Sequence, residues 1–168
     1  MHIILRKEES ADVEPIARLT RLAFADMEYS RHTEQFIVDA LRRTGQLSLS
    51  LVAVDADTVV GHVAFSPVKT SSEAGDWYGL GPVSVLPDWQ GQGIGSRLIL
   101  DGLSRLRAMG GAGCVLVGDP AYYKRFGFSA CPGLVTPGVP PIYFLALPFG
   151  EACPLGEVVF DSAFEAVS

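Results

Sequence analysis

Alternating apolar and polar residues predict short strands separated by amphipathic helices. A first strand is expected at Ile3 to Leu5. The next apolar residues recur every three or four positions, which places them on one face of a helix. Asp12 or Ser10 is expected to cap this helix, since short polar side chains satisfy the first free N–H groups. Its apolar face is formed by Ile16, Leu19, Thr20 and Ala23.

A second helix and a hairpin are predicted after a connection of mixed character at residues 24–33. Thr33 is expected to cap the second helix, which runs from Glu34 to about Arg43. Two β-rich runs follow, Leu49 to Val54 and Val59 to Pro67. The polar residues between them are typical of a turn, so the two runs are expected to pair as a hairpin.

The central stretch, Val83 to Ser96, predicts a strand, a glycine-rich turn and the start of a helix. Pro87 ends the strand because proline has no N–H to donate to a neighbouring strand. Gly81-Pro82, just before this strand, predicts a bulge rather than a regular central strand. From Ile94 the apolar residues follow helical spacing until Gly110-Gly111 ends the helix.

The glycines of this turn allow two explanations. Gly91, Gly93 and Gly95 leave the backbone bare, so an anionic group can approach successive N–H groups at the positive end of the helix dipole. A tight strand-to-helix turn accounts for the same glycines equally well. A Walker loop does not fit, because Gly95 is followed by Ser96 with no lysine. The dinucleotide fingerprint does not fit either, because a motif started at Gly91 requires glycine at position 96.

A buried strand and a short helix are predicted after the long helix. Cys114 to Val117 is continuously apolar, as in a strand covered on both faces. Asp119-Pro120 opens a short helix, and Gly127 stops it. Two closing strands are expected at Ile142 to Leu147 and at Glu157 to Phe160, paired as a hairpin across a long connection.

The spacing Gln90-x-x-Gly93-x-Gly95 resembles the signature Arg/Gln-x-x-Gly-x-Gly/Ala of the GCN5-related N-acetyltransferase (GNAT) family, which holds the pyrophosphate of coenzyme A. The resemblance covers roughly residues 1–147 in element order, and Tyr123 to Phe128 is its second specific place. It implies an α/β (α+β) fold with a mixed, mostly antiparallel central sheet, a bulged and splayed strand pair, and flanking helices. We expect one domain over residues 1–168, with an irregular C-terminal extension at 148–168.

The resemblance implies transfer of the acetyl group of acetyl-CoA to a primary amine by direct attack in a ternary complex. Tyr123 matches the family tyrosine that protonates the departing thiolate. Alone, it is better explained as a core aromatic whose hydroxyl bonds a carbonyl; together with the glycine loop, the general acid is favoured. An amide of Val83 or Ser84 is expected to face the developing oxyanion. The implied coenzyme contacts are Val83, Ser84, Val85, Gln90, Gly91, Gln92, Gly93, Ile94, Gly95, Ser96, Tyr123 and Arg125.

The acceptor side departs from the family pattern. Some relatives carry a glutamate on the strand before the pyrophosphate loop, and this chain has none at positions 77–86. Leu116 stands where many relatives place an asparagine that bonds the pantetheine. Glu28 and His32 are the nearest ionisable candidates for the amine side, although a solvated loop is the more ordinary explanation of both. Tyr143 is expected to form part of the acceptor wall.

Composition and charge narrow the classes of function. Cys114, Cys131 and Cys153 are odd in number and form no C-x-x-C pair, which suggests a reducing, cytoplasmic compartment and argues against a disulfide framework or a zinc site. The net charge of −6 without a Lys/Arg cluster disfavours nucleic acid and favours a cationic amine. No apolar run approaches the ~18 residues of a membrane span, and the N-terminus does not resemble a signal peptide. We therefore expect no metal, no membrane partner and an amine substrate, and we allow for a homodimer.

Two functions from different classes remain. The first is an N-acetyltransferase, which the presence of Tyr123 favours. The second is a non-catalytic acyl-CoA-binding module on the same fold, which the loss of that tyrosine would have favoured. A nucleotide-binding α/β domain is excluded by the glycine and lysine positions given above.

Overall fold

The computed structural model describes residues 2–28, 30–72, 75–150 and 153–168. Tyr29 in the predicted connection, and Glu151 and Ala152 in the predicted extension, lie outside these ranges. The strands are β1 (Ile3–Lys7), β2 (Leu49–Asp55), β3 (Thr58–Pro67), β4 (Lys69–Thr70), β5 (Trp77–Val85), β6 (Gly113–Val117), β7 (Leu134–Val135), β8 (Phe144–Pro148) and β9 (Gly156–Val159). The helices are α1 (Val13–Phe24), α2 (Glu34–Arg43), α3 (Ile94–Ala108) and α4 (Pro120–Tyr123).

The chain divides into two compact units. The first unit comprises Met1–Ser66, Gly81–Gly102 and Ser162–Ser168, and the second comprises Pro67–Leu80 and Leu103–Asp161. Within the described residues, no helix combines the length and the apolar composition that crossing a bilayer requires.

In the first unit the strands follow the order β1-β2-β3-β5, and α1 and α2 cover one face. The predicted hairpin is confirmed: β2 and β3 are antiparallel, with Leu49 opposite Phe65. The last residues of β5 run beside β3, where Leu86 N–H donates to the Val60 carbonyl at 2.9 Å. The core beneath the helices is formed by Ile16, Leu19, Val38, Val52, Val54 and Val59.

Helix α3 approaches β3 through a glycine. A Cβ on Gly61 would lie 2.9 Å from Ile94 Cγ2 and 3.0 Å from Leu98 Cδ1. Both separations are tighter than ordinary van der Waals contact, so the absence of a side chain at Gly61 permits this approach. The packing holds the first turn of α3, and hence the end of the glycine-rich turn, against the sheet.

In the second unit β6 lies between two neighbours. It pairs in parallel with the start of β5, where Trp77 faces Gly113, and antiparallel with β8, where Val117 faces Phe144. A small second sheet has the order β4-β9-β7. The core of the second unit is formed by Trp77, Val115, Leu134, Phe144, Ala146 and Val158.

The expected fold class is confirmed: the protein is a mixed α/β fold whose sheet is mostly antiparallel and flanked by helices. The bulge expected at Gly81-Pro82 stays a prediction. The peptide bond between these residues is cis, and φ of Gly81 is 139°. Strand β5 ends at Val85, before Pro87, as predicted.

Two predicted caps are wrong in their chemistry. Asp12 makes no side-chain bond to the start of α1; its carboxylate accepts from Arg6 Nη1 at 2.6 Å and from Glu9 N–H at 2.6 Å. These bonds, one of them charge-assisted, occupy the carboxylate in place of a cap on α1. Thr33 precedes α2 without a side-chain cap bond, and its carbonyl accepts from the N–H groups of Phe36 and Ile37.

The closing strands do not form the predicted hairpin. Strand β8 pairs with β6, and β9 pairs with β4 and β7. Pairing with β8 gives backbone hydrogen-bond partners to β6, whose first four residues are buried and cannot bond water instead.

The expectation that the cysteines stay unpaired is wrong for two of them. Cys131 and Cys153 form a disulfide with a Cα–Cα distance of 6.5 Å, while Cys114 is free and buried in β6. Spacing could not show this pairing, because the two cysteines are 22 residues apart.

Candidate active site

Two glutamine side chains of the turn after β5 hydrogen-bond to backbone carbonyls that precede them. The chain passes through a short 3-10 turn at Pro87–Trp89. Gln90 Nε2 donates to the Val85 carbonyl at 3.0 Å, and Gln92 Nε2 reaches the Asp88 carbonyl at 3.5 Å. The turn is therefore held to the strand that precedes it.

Two positions of this turn require glycine because of their backbone conformation, not because a side chain would clash. Gly91 has φ of 76° and Gly93 has φ of 82°, yet a Cβ on either would meet nothing within 4 Å. The first helical bond of α3 runs from Arg97 N–H to the Gly93 carbonyl at 3.0 Å. The N–H groups of residues 94–96 thus precede the helical ladder, at the positive end of the helix dipole. Open, positively polarised N–H groups of this kind suit a diphosphate.

The strand before the turn presents alternating side chains. Val83 and Val85 are half-buried, whereas Ser84 is buried. Within the described residues, Ser84 Oγ has no hydrogen-bond partner. A buried hydroxyl without a partner is costly to keep, so Ser84 requires an explanation.

In the second unit, α4 holds Tyr123 as the sequence predicts. Asp119 Oδ1 accepts from Ala121 N–H at 2.9 Å, and Gly127, with φ of 97°, ends the following 3-10 turn. The Tyr123 ring packs edge-on against buried Phe128, with 6.1 Å between ring centroids. Burial, with a smaller contribution from Tyr122, raises the pKa of Tyr123 to about 12. Its hydroxyl consequently keeps its proton across the physiological range.

Two further predicted residues lie near Tyr123 within the same unit. Arg125 Nε donates to the Tyr122 carbonyl at 2.8 Å, and its guanidinium lies 4.3 Å from the Tyr122 ring centroid. The Tyr143 carbonyl accepts from Gly118 N–H at 3.0 Å, and Gly118 contacts the Tyr123 ring. Arg125 therefore lies on the same helical turn as Tyr123, and the Tyr143 backbone is linked to it through Gly118.

The two acceptor candidates in the first unit lie on the surface. Glu28 and His32 are both exposed. His32 has φ of 61°, and its N–H donates to Ser30 Oγ at 2.8 Å. Leu116, at the position of the family asparagine, is buried in β6.

A polar cluster in the first unit was missed by the sequence analysis. Ser50 Oγ donates to Glu8 Oε1 and lies 2.8 Å from His62 Nε2. Arg42 holds the same carboxylate through two bonds of 2.9 and 3.0 Å. The sequence analysis assigned no role to His62; the useful signal was that this histidine interrupts an apolar strand, between Val59 and Phe65.

Burial and charge act in opposite directions on this cluster. Desolvation raises the pKa of Glu8, but hydrogen bonds from Arg42 and Ser50 outweigh it and leave the pKa below its ordinary value. Full burial lowers the pKa of His62 to about 4, against the attraction of Glu8 and Asp12 and together with the repulsion of Arg42. At neutral pH the cluster therefore contains an ionised Glu8 and a neutral His62.

Comparison with known proteins identifies the family. The profile of the Acetyltransferase (GNAT) family matches residues 16–128. The chain belongs to the GNAT family. The chain is 39% identical over 127 residues to the uncharacterized N-acetyltransferase YhbS of Escherichia coli K12, covering 75% of this chain and 73% of YhbS.

Two solved GNAT structures extend the likeness over nearly the whole chain. A GNAT acetyltransferase from Brucella melitensis, in complex with acetyl-CoA, has a TM-score of 0.86 and 49% identity, covering 97% of this chain and 98% of that one. The E. coli YhbS structure, in complex with CoA, has a TM-score of 0.89 and 32% identity, covering 100% and 94%. The family membership expected from the Gln90 to Gly95 motif is confirmed.

Membership defines the class of chemistry. GNAT proteins are acetyl-CoA-dependent acyltransferases, so this chain is an N-acyltransferase with acetyl-CoA as co-substrate. In the part of the chain that the structure describes, no group of three or more His, Cys, Asp or Glu side chains is placed to hold a metal ion.

Proposed function

We propose that the protein transfers the acetyl group of acetyl-CoA to a primary amine by direct attack in a ternary complex. The observation that carries this proposal is the turn from Gln90 to Ser96, where Gly91 and Gly93 have positive φ and lead into helical N–H groups that have no backbone partner within the described residues. Those N–H groups would hold the diphosphate of the coenzyme. The complexes of two relatives with acetyl-CoA and CoA support the same ligand. We further propose that residues 1–168 act as one acyl-CoA-dependent domain.

The strand that leads into the turn would bind the thioester. We assign its polarisation to a backbone N–H of Val83 or Ser84, because an amide aimed at the developing oxyanion stabilises the transition state. The remaining proposed coenzyme contacts are Val85, Gln90, Gly91, Gln92, Gly93, Ile94, Gly95, Ser96, Tyr123 and Arg125.

Tyr123 would supply the proton to the departing thiolate. With a pKa of about 12 the hydroxyl is protonated at every physiological pH, which a general acid requires. A free thiol has a pKa near ~8.5, so transfer is uphill until the thiolate is desolvated beside the hydroxyl. The tyrosine therefore acts first as a hydrogen-bond donor and gives up its proton as the carbon–sulfur bond breaks.

The amine side is assigned to Glu28, His32 and Tyr143. Their exposure suits an acceptor that arrives from solvent, and the net charge of −6 favours a cationic one. Cytoplasmic location and homodimer formation stay predictions.

Thiol release from acetyl-CoA tests the proposal. The acceptor panel contains spermidine, kanamycin, L-lysine and an alanine-initiated peptide. We expect turnover with at least one amine, and Tyr123→Phe is expected to lower kcat by roughly 10²-fold or more. Tyr122→Phe is the matched control, since it removes the neighbouring hydroxyl and keeps the ring under Arg125.

Calorimetric binding of CoA completes the test. Tyr123→Phe is expected to bind CoA as the wild type does. Tight CoA binding without turnover on any amine would instead support the acyl-CoA-binding module, and failure to bind CoA would refute both functions.

A further inference from the structure

The cluster of Glu8, Ser50 and His62 fixes the tautomer of the histidine. Glu8 is ionised and accepts only, so the single Ser50 proton is donated to its carboxylate. The contact of 2.8 Å between Ser50 Oγ and His62 Nε2 must then be donated by the imidazole. Nε2 carries the proton, and Nδ1 presents a lone pair. Within the described residues this buried Nδ1 has no hydrogen-bond partner.

We infer that Ser84 lies opposite His62. Strands β3 and β5 are neighbours, and Leu86 N–H donates to the Val60 carbonyl. Val60 lies at an irregularity in the pairing of β3 with β2. If the Leu86–Val60 bond belongs to an antiparallel pair, the residues two positions further along each strand are His62 and Ser84. Their side chains share a face, because Leu86 and the residue opposite His62, Val52, both pack in the core under α1 and α2.

Side chains directly opposite in an antiparallel pair have Cβ atoms roughly 4.5–5.5 Å apart. The Ser84 hydroxyl also has no partner within the described residues. A buried hydroxyl and a buried imidazole lone pair thus lie on adjacent strands and are not hydrogen-bonded to each other, so the Ser84 side chain has to turn towards Nδ1 for the two groups to satisfy one another.

We propose that His62 is the proton acceptor of the acyl-transfer reaction, reached through the Ser84 hydroxyl. This inference rests on the proposed function, in which β5 holds the thioester. As the amine nitrogen bonds to the acetyl carbon, it gives a proton to Ser84 Oγ, and the Ser84 proton passes to His62 Nδ1. The nitrogen electron pair becomes the new C–N bond, while the C–S pair leaves on the thiolate, which takes the Tyr123 proton.

Glu8 and Ser50 act as positioning residues for the histidine. Ionised Glu8 holds the Ser50 hydroxyl, which keeps Nε2 protonated and stabilises the imidazolium that forms. Glu8 also lines a cavity of about 300 Å³ together with Lys7, Arg42 and Ser48. The proton can therefore leave by the order His62 Nε2, Ser50 Oγ and Glu8, and reach solvent there.

Burial makes His62 a weak base, and this suits the step. Glu8 of the β1 end and Asp12 before α1 attract the imidazolium, whereas Arg42 of α2 repels it and burial disfavours it. An amine nitrogen becomes far more acidic once its lone pair is committed to carbon. A weakly basic imidazole is then sufficient, and it stays unprotonated at neutral pH.

Steady-state pH profiles test the relay with the panel amine that turns over fastest. Ser50→Ala, His62→Gln and Ser84→Ala are expected to lower kcat at pH 7 by roughly 10–10²-fold, with CoA binding retained. The loss should shrink as the pH rises, because hydroxide replaces the missing base. Ser84→Ala keeps the backbone amide. Ser66→Ala is the matched control. Ser66 lies on β3, the strand of His62, and like Ser84 it has a buried hydroxyl without a partner among the described residues.

A wild-type pH profile and kcat in His62→Gln would overturn the relay while leaving the acetyltransferase assignment intact. A loss of equal size at every pH, or the same loss in Ser66→Ala, would show a structural role and also overturn it. Absence of turnover in the wild type would remove the proposed function and the relay together.

Imidazole ¹⁵N NMR gives a readout that needs no acceptor amine. We expect His62 to carry its proton on Nε2 at pH 7, and Ser50→Ala to change the Nε2 shift. A proton on Nδ1 would refute the relay even in an active enzyme.

Discussion

Gly118 lies against the ring of Tyr123, so that a Cβ at position 118 would come within 2.5 Å of the tyrosine Cε2 atom. Gly118 N–H is in turn held by the Tyr143 carbonyl at 3.0 Å. This hydrogen bond holds the chain in place just after β6, and the tyrosine ring packs directly against Gly118. The position of the proposed acid depends on the absence of one methyl group.

Gly118→Ala is expected to displace the Tyr123 ring and lower kcat by about tenfold or more, since misplacement of about 1 Å can cost 10²-fold. The ring can move, so the loss of stability should stay within about 1–3 kcal/mol. Gly150→Ala is the control, because its Cβ would meet nothing within 4 Å. Unchanged kinetics in Gly118→Ala, measured by thiol release, would show that the ring position does not matter.

Gly93→Ala is expected to weaken CoA binding. Its φ of 82° strains any residue with a Cβ by about 1–2 kcal/mol, and relief of that strain would turn the N–H groups of the turn away. Gly45→Ala, at the end of α2, carries the same strain with φ of 75° and equally open space. Urea unfolding should show similar destabilisation of both variants, while calorimetry should show a raised Kd for Gly93→Ala alone. If the Kd for CoA rose equally in both variants, a local role of Gly93 in binding would be contradicted.

Stability is expected to fall on mild acidification because His62 is buried and neutral. The pKa of His62 is about 4 in the folded protein, whereas the ordinary value of 6.5 applies to the unfolded chain. The unfolded chain therefore binds the proton first as the pH falls. The free energy of unfolding should decrease by ~2 kcal/mol between pH 7 and pH 5, and further down to pH 4. Glu8 and Asp12, whose pKa values are lowered, add their losses below that range.

Urea unfolding at several pH values measures this dependence. His62→Gln removes the titrating group and should flatten the curve between pH 7 and pH 5. An equally steep curve in the variant would assign the acid sensitivity to other groups.

Arg42→Ala is expected to destabilise the protein by about 2 kcal/mol. Glu8 and Arg42 are partly buried, and removal of the arginine leaves a carboxylate without its two strong bonds. This loss of stability lies between the losses typical of exposed salt bridges and of fully buried ones. Arg43→Ala, the exposed neighbour, should change the free energy of unfolding by less than about 0.5 kcal/mol. Equal effects of the two substitutions would contradict a structural role for the pair.

The elements that the sequence predicted correctly have local causes. Helix α3 begins at Ile94 and ends before Gly110 because apolar spacing and glycine stops act within a few residues. The same holds for the Asp119 cap and for the Gln90 to Gly95 motif, whose backbone conformation belongs to its own glycines. Family and chemistry could be read from these stretches for that reason.

Most of the errors and omissions concern distant partners. The predictions of a β8–β9 hairpin and of free Cys131 and Cys153 were wrong because a residue far along the chain offered a better contact. The cap at Asp12 was wrong because Arg6, six residues earlier, binds its carboxylate. The cluster around His62 escaped notice for the same reason as the disulfide. Glu8 and Ser50 are 42 residues apart and meet only where β1 and β2 lie side by side.

The sequence by itself determined the glycine turn, the short helix that carries Tyr123 and the class of reaction, since each depends on spacing within a few residues. Tertiary structure alone decided which strands are neighbours, which cysteines pair and which polar side chains are buried together. Those outcomes depend on strand register, because the pairing of β2 with β3 brings Ser50 within 2.8 Å of His62, and a shift of one residue would turn His62 to the other face of the sheet.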